Sequence, residues 1–411
     1  MKKSKLILSL VTLVCLGLGF LFGFVAPEFS KGIKFIGDWY VNILKILIGP
    51  IIFVSIFLNI VSKKRNGSLI VLKTVCMFIC MFVVTFLLTS VIVAIAKPGA
   101  DFVIDNPNDT TNYANFGLAA ILNNLIHANV KDLFYGKNLL FVIILALIMS
   151  LLMSVAPNKN NAIKMCQFVK KYLNYALQFV LILTPIAVVS LVSNVVVTYG
   201  SMIITVGLKY ILFAWGCSIL TILLVMVLPV WLIAKVNPIT YIRKVAKVWL
   251  ISLSTCSSVA TLPHTIKCCN EDFDVDEKIT DVVVPLGCTI HMCGGAVSFA
   301  LLGLFVSQMS GFTITFGTFL LMILCATLIN MAAPGIPGGG VVIGLSYLTI
   351  FNLPITGFYG FYSGIYKLLD MPYTTLNVTG DISANIILNK FEKKEEVKVE
   401  ESSIEESEIK E

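Results

Sequence analysis

The sequence predicts an all-α polytopic membrane protein of eight transmembrane helices plus two re-entrant helical hairpins, and three observations carry that expectation. The chain of 411 residues is 57% hydrophobic and only 13% charged, with a mean hydropathy of +0.92, far from the composition of a soluble domain. Apolar runs recur along it at lengths that match the hydrocarbon core of a bilayer. In the C-terminal half, such runs are interrupted by clusters of small, polar and helix-breaking residues.

Six uninterrupted spans come first, at 6–26, 39–61, 68–96, 137–156, 172–198 and 205–234. The opening "MKKSKLILSLVTLVCLGLGFLFGFV" starts like a signal peptide, but its apolar run of about 20 residues has the length of a spanning helix, so it is expected to stay. Basic residues gather at alternate connections: Lys2, Lys3 and Lys5; Lys63, Lys64 and Arg65; Lys159, Lys164, Lys170 and Lys171; Lys235, Arg243, Lys244 and Lys247. By the positive-inside rule these connections and both termini face the cytoplasm of a cell (plasma) membrane, and "KPGADFVIDNPNDTTNYANFG" reads as an external loop.

The net charge of +7 sits singly at the ends of apolar runs, without a basic stripe or aromatic platform, which excludes nucleic acid as a partner and leaves the lipid bilayer. The eleven cysteines lie mostly inside apolar runs without framework spacing, so neither disulfides nor a metal site is expected, Cys268 and Cys269 included. His127, His264 and His291 have no nucleophile, base and orienting group at a recognisable spacing, so neither an enzyme nor a cofactor is expected.

After residue 238 the pattern changes. "LSTCSSVATLP" at 253–263 is followed by 279–305 with "PLGCTIHMCGGA"; 313–352, broken by "NMAAPGIPGGG", is followed by 356–390 with "LLDMPYTTLNVTGD". Twice, then, a broken apolar segment precedes a span with polar groups at mid-depth, which is an internal repeat. The broken arms hold about 12 to 20 residues, some 18 to 30 Å of helix, and several are too short to cross. They are expected to turn back as hairpins entering from opposite faces, because irregular backbone survives at membrane depth only when buried in protein or lining a wet cavity. Ordinary spans with kinks are the alternative, but Gly335, Pro337, Gly338, Gly339 and Gly340 together break a helix more than a kink requires. Hairpin tips expose N–H groups that attract anions and carbonyls that hold cations. Asp370 and Asp381 fall well inside a span, where an unpaired charge costs several kcal/mol, and so mark a functional site. An ion pair between Asp370 and Lys367, one turn earlier, is the other use for that carboxylate.

In this order and spacing the four motifs resemble the dicarboxylate/amino acid:cation symporter family, which includes the glutamate and aspartate transporters. "SSVATLP" is similar to the serine-rich first hairpin tip, "PLGCTIHMCGGA" to P-L-G-A-T-I-N-M-D-G-T of the seventh span, "GIPGGG" to the second tip, and "LNVTGD" to N-x-x-G-D of the eighth. The resemblance covers residues 1 to about 390. It implies a homotrimer working by an elevator mechanism, in which residues 1–235 are mainly scaffold, with the third and sixth spans partly in the transport domain, and 236–390 form the transport-domain core. It implies that Asp370 binds a substrate amino group, with Thr374 and Asn377 beside it, and that the Ser258 N–H binds a carboxylate. Ser257 is a helix cap or a second contact. The tip at Ile336, Pro337, Gly338 and Gly340 would close as the extracellular gate. Sodium ions would be the coupling ions: Gly287, Asn377 and Asp381 at one site, Thr289 with the carbonyls of Asn330, Met331 and Ala333 at a second, and Thr89 and Ser90, in "FLLTSV", at a third.

The chain departs from the family in two places. N-M-D-G-T reads His291, Met292, Cys293, Gly294, Gly295, and a thiol is a poor ligand for a hard cation, so the third sodium is expected to be absent or weakened. His291 then has two readings, a neutral group bonding the broken helix or a protonated substitute for the cation. Lys367 likewise is a fixed positive charge or a snorkelling flank residue. The arginine that reads acidic substrates aligns with Tyr373, so the expected substrate is a neutral amino acid coupled to sodium or a proton. A carrier of another carboxylate, such as a dicarboxylate or cystine, and an uncoupled amino-acid receptor or sensor are the rival readings. The tail at 391–411, rich in Glu and Lys, cannot bury a core and is expected to be a disordered cytoplasmic extension.

Overall fold

The computed structural model describes residues 2–61, 69–102, 139–154, 156, 159–331, 339–351, 353 and 358–408, and every regular element among them is helical. In chain order the helices are α1 (Lys2–Val25), α2 (Pro27–Gly32), α3 (Lys34–Val61), α4 (Leu69–Ala96), α5 (Leu139–Ser154), α6 (Lys159–Ile182) and α7 (Thr184–Tyr199). Then come α8 (Met202–Thr221, continued by π-helical turns at Ile222–Val227 and Val230–Ala234), α9 (Pro238–Thr255) and α10 (Ser258–Lys267, with a π-helical turn at Cys268–Asp272). The last are α11 (Glu277–Ile290), α12 (Cys293–Ser310), α13 (Phe316–Met331), α14 (Gly339–Ile350) and α15 (Phe358–Glu408).

Four stretches of the described residues are long and apolar enough to cross a bilayer: Pro27–Leu58, Leu69–Ala96, Met202–Ala234 and Glu277–Ser310. A fifth is bent. Where the sequence predicts one straight span over 172–198, α6 and α7 meet at 53°. Pro185, in the first turn of α7, lacks the N–H that would continue the ladder and its ring crowds the preceding turn.

Helices α9 and α10 are joined by a tight turn. Helix α9 ends at Cys256, which takes a left-handed conformation (φ 48°), and Ser257 is extended and caps α10 by accepting from the Ala260 N–H at 3.3 Å. The chain then doubles back on itself. The Cys268 thiol meets the Lys244 carbonyl at 3.9 Å, and the Lys244 ammonium donates to the Asp272 carbonyl; Lys244 and Cys268 stand equally far along the chain from Cys256. The arms of the second hairpin, α13 and α14, both pack on α12. A Cβ at Gly303 of α12 would lie 2.6 Å from Met322 of one arm and 2.9 Å from Tyr347 of the other. Residues 332–338, which join them, lie outside the described residues.

Helix α15 is the rail on which these pieces are mounted, and hydroxyls and amides make the joints. On its hairpin side, Ser252 bonds Thr375 at 2.9 Å, the Trp249 N–H donates to Thr379 at 2.8 Å, and Tyr241 bonds Ser383 at 2.7 Å. Numbers fall along α9 as they rise along α15, so the two run antiparallel. On its other side the Asn385 amide donates to Thr280 at 2.9 Å and the Asp276 N–H donates to Asn389 at 3.4 Å, so α11 is antiparallel to α15 as well. Such bonds hold helices together where apolar burial gives no preference for one register over another. Pro372 lies inside α15 without ending it. The helix also runs on to Glu408, through most of the stretch expected to be an unstructured tail: Glu and Lys are good helix formers and need no core to be helical, and Glu392 is tied to Lys73 of α4 at 3.0 Å.

Thr379→Val keeps the shape of the joint but strands the Trp249 N–H. The melting temperature of the purified protein is expected to fall by an amount equivalent to about 1–3 kcal/mol, and an unchanged melting temperature would rule out this joint as a stabilising contact.

Candidate functional site

Four segments of the chain converge on one cavity. Its wall is made by Cys256, Ser257 and Ser258 of the first tip, Met292, Gly294, Gly295 and Ser298 at the break between α11 and α12, Asn330, Gly340 and Ile343 from the second hairpin, and Tyr366, Asp370, Tyr373, Thr374 and Asn377 of α15. The break itself is dictated locally. His291 and Met292 leave helical geometry (φ −97°, ψ 98° and φ −127°, ψ 71°), and α12 restarts with the Gly295 N–H donating to the Met292 carbonyl at 2.8 Å. The freed Gly294 N–H finds the Asn377 side-chain oxygen at 2.7 Å. Only glycine fits there, because a Cβ would collide with the Tyr373 carbonyl of α15.

Several of the predicted site residues are brought together. Ser258, mostly buried, is the first residue of α10, and Ser257 fills the capping role. Thr374 donates to Asp370 at 3.4 Å, and Asn377 and Asp381 follow on the same helix at one-turn intervals. Gly287 abuts Asp381, where a Cβ would strike the carboxylate. Lys367 lies beside Cys256 at the first tip. Gly340 opens α14 against the Tyr366 hydroxyl. Ala333, Ile336, Pro337 and Gly338 lie outside the described residues, as does the side chain of Met331, the last residue of α13.

His291 is fully enclosed. Its Nδ1 lies 2.9 Å from Asp381, its Nε2 lies 2.9 Å from the Cys293 thiol, and its ring stacks on Phe78 of α4 with centroids 4.4 Å apart. The imidazole therefore links the broken span to one oxygen of Asp381, the carboxylate assigned by resemblance to a cation.

Two groups of predicted residues stand apart from the cavity. Thr89 and Ser90 do not reach the His291–Cys293 cluster. Gln308 of α12 donates to the Val93 carbonyl at 3.0 Å, which fixes the register of α4 against α12 and puts Phe78, not Thr89, level with His291. At 1.5 Å per residue Thr89 stands about 16 Å further along α4. Ser90 bonds back to the Phe86 carbonyl at 2.7 Å, and the buried Thr89 hydroxyl has no hydrogen-bond partner among the described residues. The pair of adjacent hydroxyls drew the match, whereas the buried aromatic on that helix is what faces the site. Thr289 is exposed, its hydroxyl donates back to the Leu286 carbonyl at 2.8 Å, and it does not line the cavity. Missed altogether were Phe78, Ser298, Ile343 and Tyr366, whose residue types in apolar runs carry no signal of their own.

With this geometry in place, comparison with known proteins is informative. Residues 8–391 match a family model described as the sodium:dicarboxylate symporter family. The proton/glutamate-aspartate symporter of Bacillus subtilis (strain 168) is 23% identical over 403 residues, 95% of this chain and 96% of that protein. Excitatory amino acid transporter 1 of Rattus norvegicus is 38% identical over 192 residues, 45% of this chain and 35% of that protein. An excitatory amino acid transporter of Caenorhabditis elegans is 37% identical over 147 residues, 36% of this chain and 29% of its own. The matches thus span about a third of the animal relatives and nearly the whole of the bacterial one.

Gly287→Ala drives a methyl group into Asp381 and is expected to lower the melting temperature by several degrees. Gly216→Ala, which meets nothing within 4 Å, is the control and should leave it unchanged. Equal effects of the two would contradict the close approach of α11 to α15.

Proposed function

Because the chain belongs to the sodium:dicarboxylate symporter family, whose members are transporters and not enzymes, we propose that it is a sodium-coupled secondary transporter of a neutral amino acid. The observation that supports this best is the cavity: the start of a half-helix at Ser258 and the carboxylate of Asp370 share one wall, and no arginine, lysine or histidine lines it among the described residues. A zwitterion suits that wall. Its carboxylate goes to the N–H groups at the start of α10, its ammonium to Asp370 and Thr374, and Asn377 braces the site through Gly294. At the position where acidic substrates would need a guanidinium stands Tyr373, and a buried carboxylate without such a partner is costly.

In this reading the protein is a plasma-membrane homotrimer with eight spans, two re-entrant hairpins and cytoplasmic termini. It moves its hairpins and last two spans as an elevator, with Ile336, Pro337 and Gly338 at the tip of the outer gate. One sodium is held by the Gly287 carbonyl, Asn377 and Asp381, and a second by the carbonyls of Asn330, Met331 and Ala333, with Thr289 standing outside the cavity wall. The third site is absent or much weakened in this reading, which is supported by the Cys293 thiol beside His291 and by the distance of the Thr89 and Ser90 hydroxyls from them. Coupling to a proton is a second reading, favoured by the name of the Bacillus relative and by a histidine where a cation ligand would stand.

In proteoliposomes an inward sodium gradient is expected to drive uptake of a neutral amino acid that excess aspartate does not suppress. Suppression by aspartate but not by neutral amino acids would overturn the substrate assignment, and uptake indifferent to sodium would overturn the coupling. Asp370→Asn is expected to reduce uptake at least about a hundredfold, by removing the charge that faces the ammonium. Reversal-potential measurements should give two sodium ions or fewer per substrate. A value of three would contradict the loss of the third site.

A further inference from the structure

The imidazole of His291 is held on four sides. One ring face lies on Phe78, with the planes 19° apart, and its Cε1 edge is met by Gly380 of α15, where a Cβ would come within 2.2 Å. Its two nitrogens each stand 2.9 Å from a polar partner, Nε2 from the Cys293 thiol and Nδ1 from Oδ1 of Asp381. The ring and both partners are at most 1% exposed. Packing alone accounts for the contacts with Phe78 and Gly380, since any planar ring would make them. It does not account for a polar partner matched to each nitrogen.

The Asp381 end of this chain of contacts is the informative one. A carboxylate accepts and does not donate, so the shared hydrogen lies on Nδ1. Among the described residues His291 is the one side chain paired with Asp381. The other groups close to that carboxylate are the Gly287 backbone, which abuts it, and Asn377, one turn before it on α15. Carboxylate, carbonyl and amide oxygens are the donors that a hard cation such as sodium takes. We infer that His291 is a positioning residue for that cation: by holding Oδ1 through the Nδ1–H it fixes the rotation of the Asp381 carboxylate, and Cys293 anchors the far edge of the ring. The inference rests on the sodium-coupled reading and deepens it, because the affinity for sodium is then set in part by a residue that is not itself a ligand. A ligand already ordered by a neighbouring hydrogen bond binds more tightly than one that the ion must order, and loss of such a partner typically costs about 10- to 100-fold in metal affinity.

The test is sodium binding by the purified full-length protein without substrate, read as the sodium concentration that gives half-maximal thermal stabilisation, with choline making up the ionic strength. His291→Asn keeps an N–H close to where Nδ1 stands, whereas His291→Leu fills a similar space without a donor. The leucine variant is expected to raise that concentration at least about tenfold and the asparagine variant less than about threefold. A leucine variant that melts lower yet binds sodium as the wild type does, or equal shifts in the two variants, shows the ring to be packing alone; either result overturns the inference and leaves sodium coupling standing. Should the leucine variant not fold, the wild type decides. The chain has three histidines, and with these labelled in 15N the Nδ1 resonance that His291→Asn removes is expected to shift when sodium replaces choline. A resonance that stays in place overturns the inference. Wild-type protein that sodium stabilises no more than choline does defeats the sodium-coupled reading, and this inference with it.

Discussion

The structure depends on the backbone of the α11–α12 break lying directly on α15. A helix interrupted in a membrane protein frees N–H and carbonyl groups that lipid cannot satisfy, each at a cost of several kcal/mol. Here Gly294 comes close enough for its N–H to reach Asn377, and Gly287 close enough to abut Asp381. Side chains at either residue would push the helices apart and leave the freed groups unmet. The same approach that makes the break tolerable also gathers the polar groups of one cavity.

Around that contact, the joints follow one logic. Thr375, Thr379 and Ser383 recur every fourth residue along one stripe of α15, and Ser252, Trp249 and Tyr241 of α9 meet them in reverse order. A stripe of this kind sets register, and register decides which residues reach the cavity. The first tip is held at the height of the α11–α12 break for this reason, with Cys256 in a left-handed conformation that costs about 1 kcal/mol and is sustained by the surrounding packing. His291 shows the opposite use of polarity: wedged between Asp381, Cys293 and Phe78, it closes a region that by resemblance would hold an ion.

Much of this was legible in the sequence wherever a residue type has few uses at membrane depth. Two carboxylates within an apolar run, a glycine and proline cluster, and a serine run before Pro263 each have little reason to exist except at interrupted helices around a site. Among the described residues, the turn after α9, the α11–α12 break and α15 bring these residues to one cavity. What misled was local likeness without register. Thr89 and Ser90 follow two leucines in a pattern that fits a hydroxyl pair, but the sequence does not say how far α4 slides along α12, and only the Gln308 bond to Val93 reveals it. Hydroxyls inside helices are ambiguous in the same way, because each can bond to its own preceding turn, as Ser90 and Thr289 do. The bend at Pro185 was legible in principle, since a proline in the middle of an apolar run is a known interruption, but the run was long enough to pass as a single span. The helical tail shows that a segment without a core can still be helical.

The most direct test of the central claim is whether sodium and a neutral amino acid bind as a linked pair in the cavity around α15. Melting temperatures of the purified protein would be taken with neither, with each alone and with both. The account predicts that the amino acid alone changes little and that both together raise the melting temperature by more than the sum of the separate effects, because each ligand completes the site of the other. Strictly additive shifts, or a full amino-acid effect in the absence of sodium, would contradict it.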